Sequence, residues 1–228
     1  MIHMKNVGKV YDSGIVALRD INVDIEKGEF VFVVGPSGAG KTTFTKMIFR
    51  EELPTQGQLV VNGRNVTALK SSEVPYFRRS LGIIFQDYRL LPNRTVYENV
   101  AFAMQVIEAP RREIQKRVNH VLELVGLRYR ARNFPTELSG GEQQRVAIAR
   151  AIVNNPVVVI ADEPTGNLDP ETSWEIMKIF ERINKNGTTI VMATHDKTVV
   201  DTMRKRVIAI ERSSIVRDEA KGVYGYED

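Results

Sequence analysis

An α/β layered fold in one continuous unit is what the sequence predicts, on three observations. Glu29-Phe30-Val31-Phe32-Val33-Val34 is apolar on both faces, as a buried strand is, and runs through a glycine-rich turn into a helical stretch from Lys41 to Phe49. The apolar run Val157–Ala161 repeats the strand signature and closes on two carboxylates, Asp162 and Glu163. Between them, Arg111–Leu127 carries Ile114, Val118, Val121, Leu122 and Val125 at helical spacing. Together these describe a layered core with a helical insertion at about 88–155.

The remaining elements follow in order. Ile2, Met4 and Val7 fall on roughly alternating positions, and Leu18–Ile25 mixes polar and apolar residues, so both predict strands with one wet face. Gln58–Gly63 ends in Asn62-Gly63, a strong hairpin cue. Leu81–Phe85 reads as a short buried strand. The Arg111–Leu127 helix starts after Pro110 and stops near Gly126; a second runs from about Gly140 to Asn154 and is stopped by Pro156. A helix over Trp174–Ile183 separates Val157–Ala161 from another strand, Thr189–Ala193, and a last hairpin is expected around Arg206–Val216. No repeat, low-complexity tract or Pro/Ser-rich linker interrupts the chain.

Composition narrows the classes. Of 228 residues, 43% are hydrophobic and 26% charged, which suits a globular core without staples. Cysteine is absent, so disulfides and thiolate metal sites are excluded. No apolar run approaches the roughly 20 residues that cross a bilayer, and the start does not resemble a secretory signal. A soluble or peripherally attached protein is therefore expected. The net charge of +4 arises from 32 basic and 28 acidic residues that are interspersed. Arg111-Arg112, Lys116-Arg117 and Arg204-Lys205-Arg206 read as solvated helix faces, and no nucleic-acid partner is expected.

Gly35-Pro36-Ser37-Gly38-Ala39-Gly40-Lys41-Thr42 matches G-x-x-x-x-G-K-[ST], with a buried strand before it and a helix after it. Backbone amides there wrap phosphates at a helix N-terminus, where the dipole favours anions. Lys41 is expected to reach the terminal phosphates of ATP and Thr42 to bind Mg²⁺; Thr43 continues the cradle. At the end of Val157–Ala161, Asp162 is the second Mg²⁺ anchor and Glu163 the acceptor of the attacking water's proton. A helix cap before Pro164 explains one of these carboxylates but not the pair.

Leu138-Ser139-Gly140-Gly141-Glu142 contains a capping box, Ser139 with Glu142, at a helix start. The cap does not explain Gly140 and Gly141, since glycine costs about 1 kcal/mol against alanine inside a helix. Paired glycines there suit a second close approach of backbone to phosphate.

With the stretch LSGGEQQR the chain resembles the ABC ATPases, and further landmarks of that family occur in order over essentially the whole chain. The resemblance implies an ABC-type P-loop ATPase domain spanning 1–228, with a RecA-like core and antiparallel β subdomain (about 1–87 and 156–228) and a helical subdomain (about 88–155). It implies that Tyr11 stacks on adenine, that Gln86 links Mg²⁺ and water to the partner contact, and that His195 contacts the γ-phosphate. Asn167-Leu168-Asp169 resembles the loop that crosses between subunits. Taken alone, His195 at a strand end reads as structural, and only its place in the series makes it catalytic. Glu142 stands where many members have glutamine, and Thr42 where serine is commoner. The family further implies a head-to-tail homodimer. Each ATP would lie between Gly35–Thr42 of one chain and Ser139–Gly141 of the other, with Glu142 and Asp169 beside it.

Finer stretches are similar to one branch of that family. Ile84–Leu91, Arg94–Val100 and Pro164–Asp169 resemble the branch with the lipoprotein-extracting and macrolide-efflux ATPases. Within it, RTVYENVAFAMQV and the short stretch after Val216 are most similar to the cell-division ATPases, which act from the cytoplasmic face on an FtsX-like integral membrane partner and through it on peptidoglycan hydrolases. A groove near Gln86–Tyr97 is the expected docking place. An ordinary transporter ATPase of the same branch is the alternative, and a soluble DNA-acting ABC ATPase a remote one.

Overall fold

The computed structural model describes residues 1–225. Strands β1 (Ile2–Val10) and β2 (Val16–Ile25) pair antiparallel, with Ile2, Met4, Val7, Leu18, Ile21, Val23 and Ile25 buried. β3 (Phe30–Val34) is buried along its whole length, and the glycine-rich loop after it leads into α1 (Lys41–Ile48). β4 (Gln56–Val61) lies on the other side of β1. Asn62 (φ 48) and Gly63 (φ 73) turn it back into β5 (Arg64–Asn65) through the two-residue turn expected of Asn-Gly. These strands make an antiparallel sheet in the order β2-β1-β4-β5.

Helix α2 (Val74–Arg78) precedes β6 (Leu81–Ile84), and three helices follow: α3 (Val96–Gln105), α4 (Arg111–Leu124) and α5 (Gly140–Ile152). The apolar pattern does not single out α3, yet its start is locally encoded. Thr95 Oγ1 accepts the Glu98 amide at 3.3 Å, and the Glu98 carboxylate accepts the Thr95 amide at 2.8 Å. Buried Asn99 anchors the approach, accepting from the Leu91 amide and donating to the carbonyls of Leu91, Arg94 and Thr95. α4 stops at Leu124, short of Leu127. Gly126 (φ 73) caps it, with the Leu127 amide on the Leu122 carbonyl at 2.7 Å and the Gly126 amide on that of Glu123 at 3.0 Å.

The chain ends with β7 (Val158–Asp162), α6 (Pro170–Lys185), β8 (Thr189–Ala193), α7 (Lys197–Met203) and the hairpin β9 (Arg206–Glu211) and β10 (Ser214–Glu219). α6 begins before Trp174 because Asp169 accepts the Thr172 amide at 2.9 Å and Pro170 fills the first turn, where its missing N–H costs no bond.

The second sheet runs β10-β9-β3-β8-β7-β6 and is parallel except for the β9–β10 hairpin. Side chains alternate across it. Phe30, Phe32 and Val34 join the core shared with α3, α4, α5 and α6, whereas Val31 and Val33 face Phe44, Met47 and Ile48 of α1 and the antiparallel sheet. Because β3, β8, β7 and β6 are parallel neighbours, their carboxyl ends lie side by side. In open α/β sheets that edge is where ligands bind.

Candidate functional site

Four loops meet at this edge. At Gly40 (φ 110) a Cβ would lie 2.4 Å from the Ala17 carbonyl oxygen, so only glycine lets the chain enter α1 there. The loop opens on a cavity of about 550 Å³ lined by Tyr11, Ser37, Gly38, Gly40, Lys41, Thr42, Thr43, Glu163 and His195. Lys41 is only 7% exposed, and its Nζ donates to the carbonyls of Gly35 (2.8 Å) and Pro36 (3.0 Å). An enclosed ammonium must be hydrogen-bonded, and phosphate oxygens are stronger acceptors than these carbonyls. The Tyr11 hydroxyl lies 3.1 Å from Thr43 Oγ1 and fixes the ring against the start of α1.

Thr42 Oγ1 donates to Asp162 Oδ1 at 3.4 Å. Burial raises the Asp162 carboxyl above the ordinary carboxylate range, and the charge of Glu163 adds to this, against the Thr42 bond and the pull of Lys41 and Lys46. Gln86, after β6, lines an adjoining cavity of about 380 Å³ with Thr42, Lys46, Asp162 and Asn167. Thr42, Asp162 and Gln86 are oxygen donors, the set a hard cation takes. Mg²⁺ commonly keeps several waters and binds one or two protein groups beside phosphate. Among the described residues no three His, Asp or Glu side chains cluster, so a cation caged by protein carboxylates does not fit.

A folded-state pKa above the unfolded value means that the native chain binds more protons than the unfolded one. Stability therefore falls as pH rises from the unfolded carboxylate pKa through the folded one, and the cost stands in full at neutral pH. Asp162→Asn is thus expected to raise the melting temperature of the nucleotide-free chain at pH 7, with the gain shrinking as pH is lowered through the carboxylate range. A lower melting temperature at pH 7 contradicts this account of Asp162.

Glu163 follows β7 with a left-handed backbone (φ 48), a strained state for a non-glycine residue. Its amide donates to the Ala193 carbonyl at 2.9 Å, and Oε2 lies 3.2 Å from His195 Nδ1. The carboxylate at the end of β7 and the imidazole after β8 thus meet within one cavity.

The Ser139–Glu142 turn lies apart, lining neither cavity. Ser139 Oγ accepts the Glu142 amide at 3.3 Å, and Glu142 Oε2 accepts the Ser139 amide at 2.9 Å. The other oxygen of Glu142 takes Arg130 Nε at 3.0 Å and the Tyr129 hydroxyl at 3.2 Å. The Ser139 amide, with Arg130 in support, holds the Glu142 carboxyl below its ordinary range, so it stays charged and committed to the cap. A Cβ at Gly141 would meet Thr172 Cγ2 at 2.4 Å, so the close approach of α5 to α6 already requires this glycine, a cause invisible in the sequence. Gly140 packs near Tyr88 Oη. Asp169 also lines neither cavity and caps α6. The sequence reading misses Arg130, which has no motif signal, and passes over Asn167 as a site residue although it adjoins Leu168-Asp169.

The ABC transporter family model matches residues 18–166. The chain is 62% identical over 228 residues to the cell division ATP-binding protein FtsE of Bacillus subtilis (strain 168), covering 100% of both. It is 54% identical to the FtsE of Mycobacterium tuberculosis (strain ATCC 25618 / H37Rv), covering 100% of this chain and 99% of that one. Among solved structures, the dimeric post-hydrolysis state of the ATP-binding cassette MJ0796 bound to ADP and Pi superposes with a TM-score of 0.88 at 36% identity, covering 99% of this chain and 100% of that one. The cbiO1 protein of Clostridium perfringens, part of the transporter complex cbiONQ, gives 0.90 at 31% identity, covering 96% and 88%.

Proposed function

The chain belongs to the ABC transporter family of ATP-binding proteins, and on that premise we propose that it is the ATP-hydrolysing subunit of a membrane-bound cell-division complex, the role its FtsE relatives are named for. The glycine-rich loop 35–40 with Lys41, Thr42 and Thr43 holds the polyphosphate of ATP, and Tyr11 offers an aromatic face to the base. Thr42, Asp162 and Gln86 would hold Mg²⁺, which would supply neutralisation of phosphate charge. Glu163 accepts the proton of the attacking water, and His195, whose Nδ1 lies 3.2 Å from Glu163 Oε2, serves as the contact to the γ-phosphate.

The observation that carries this reading is the division of the site: Glu163, His195, Lys41 and Thr42 share one cavity, while Ser139–Gly141 open α5 away from it. A helix start that cannot serve its own chain's nucleotide is free to serve that of a second copy. Two-fold pairing then completes both sites, with Asp169 and Glu142 near the junction. ATP holds the pair together, and hydrolysis releases it.

The chain works at the cytoplasmic face of the membrane. No described helix is long and apolar enough to cross a bilayer; the partner, by the FtsE naming of the relatives, is an integral, FtsX-like protein. Its docking place is the groove near Gln86–Tyr97, and the output is movement transmitted across the membrane to peptidoglycan hydrolases. The test is to isolate tagged Glu163→Gln chain from gently solubilised native membranes with ATP and Mg²⁺ and identify what is bound by mass spectrometry. An FtsX-like membrane protein with a large extracytoplasmic region is expected. A solute permease or lipoprotein-extracting partner replaces the cell-division role and leaves the ATP chemistry standing.

A further inference from the structure

Gln86 stands at the head of a turn whose next residues adopt an unusual backbone. Tyr88 (φ 58) and Arg89 (φ 46) are both left-handed although neither is glycine. Such residues persist only where their surroundings enforce the conformation. Within the turn, the Tyr88 amide donates to the Phe85 carbonyl at 3.2 Å and the Arg89 guanidinium lies 3.7 Å from the Phe85 ring. The further constraint comes from α5. Arg150 donates from Nη1 to the Arg89 carbonyl at 2.6 Å and from Nη2 to that of Tyr88 at 2.7 Å.

This is a built contact. A half-buried guanidinium spends both arms of its fork on two consecutive carbonyls, a geometry that a lysine ammonium cannot reproduce with fixed angles. At the other end of the same helix, a Cβ on Gly140 would lie 3.3 Å from Tyr88 Oη. The last turn of α5 thus holds the backbone of Tyr88 and Arg89, and its first residue lies near the Tyr88 side chain. At the head of the turn, a Cβ on Gly166 would lie 3.6 Å from both Gln86 Nε2 and Glu163 Oε2, so the Gln86 amide reaches the neighbourhood of Glu163.

We propose that Arg150 is a positioning residue for hydrolysis: its two hydrogen bonds hold the strained Tyr88–Arg89 turn so that Gln86 is aimed at the nucleotide site. Because the same helix begins at Ser139–Gly141, the aim of Gln86 is mechanically tied to the end of α5 that faces the second nucleotide. This rests on the reading of Gln86 as a residue of the ATP site. Arg150 itself touches neither substrate nor reacting atoms.

The test is a double-mutant cycle in complexes isolated with the membrane partner, measuring kcat and KM for ATP. Arg150→Gln is expected to lower kcat about tenfold, the loss that follows from about 1.4 kcal/mol of misplacement. KM should change less than about twofold, because the Lys41 cradle is untouched. Arg150→Lys should fall in between, and it also serves if Arg150→Gln melts too low to assay. Added to Arg150→Gln, Arg89→Gly should recover part of the rate, since glycine takes a positive φ without a strap. In a Gln86→Ala background, Arg150→Gln should cost little more, whereas a merely structural role would cost as much again. A parent-like kcat, a KM rising in place of the kcat loss, no recovery with Arg89→Gly, or full additivity with Gln86→Ala each overturns the proposal. If Gln86→Ala itself leaves kcat intact, the premise falls and the proposal with it; if it lowers kcat while Arg150→Gln does not, only the proposal falls.

Discussion

Glu163→Gln is expected to leave ATP binding in place and to lower turnover by about 10²–10⁴, the usual worth of a general base. That span corresponds to roughly 3–5 kcal/mol of barrier. Glutamine keeps the shape of the side chain but cannot take the proton of the attacking water. Glu163 Oε2 lies 3.2 Å from His195 Nδ1, in the cavity that Lys41 and Thr42 also line. Single-turnover hydrolysis gives the rate, and calorimetry with ATP gives the binding. Because the product is no longer made, ATP should also hold the variant in the paired state, visible as a shift in light scattering. Near-parental turnover removes Glu163 from the mechanism.

The second large effect is expected on binding. Lys41→Ala should weaken ATP by at least about 100-fold, roughly 2.7 kcal/mol, since hydrogen bonds to charged groups contribute about 1.5–3 kcal/mol each. The Lys41 ammonium donates to the Gly35 and Pro36 carbonyls, so the variant also loses a contact that closes its own loop. A melting curve without nucleotide separates that local loss from the loss of affinity. Unchanged ATP affinity in a folded Lys41→Ala chain contradicts the cradle.

These two variants separate holding from cutting, and the fold explains why they can be separated. Lys41 starts α1 at the end of the loop after β3, whereas Glu163 follows β7, two strands away across β8. The two side chains are thus held by separate elements, and removing one leaves the other in place. The same arrangement gives Asp162 its cost. A partly buried carboxylate beside Thr42, its pKa raised chiefly by burial, costs stability when charged.

Much of this was legible before any coordinates, where the information is local. The Asn62-Gly63 turn, the Ser139–Glu142 cap, the glycine that ends α4 and the two-faced apolar run of β3 are each written within a few residues. Backbone sterics and nearest-neighbour hydrogen bonds decide them. The phosphate loop and the Asp162-Glu163 pair are local in the same sense. What the tertiary structure decided is non-local. The order β3-β8-β7-β6 brings the loops of Gln86, Lys41, Glu163 and His195 to one edge, although α1, β4, β5 and α2 lie between β3 and β6 in sequence. Contact with Thr172 of α6 dictates Gly141, and Arg150 reaches back to the turn behind Gln86. No periodicity or motif encodes those contacts, because their energy comes from elements that meet only after the chain has packed, and packing order is set by the whole core rather than by any one segment.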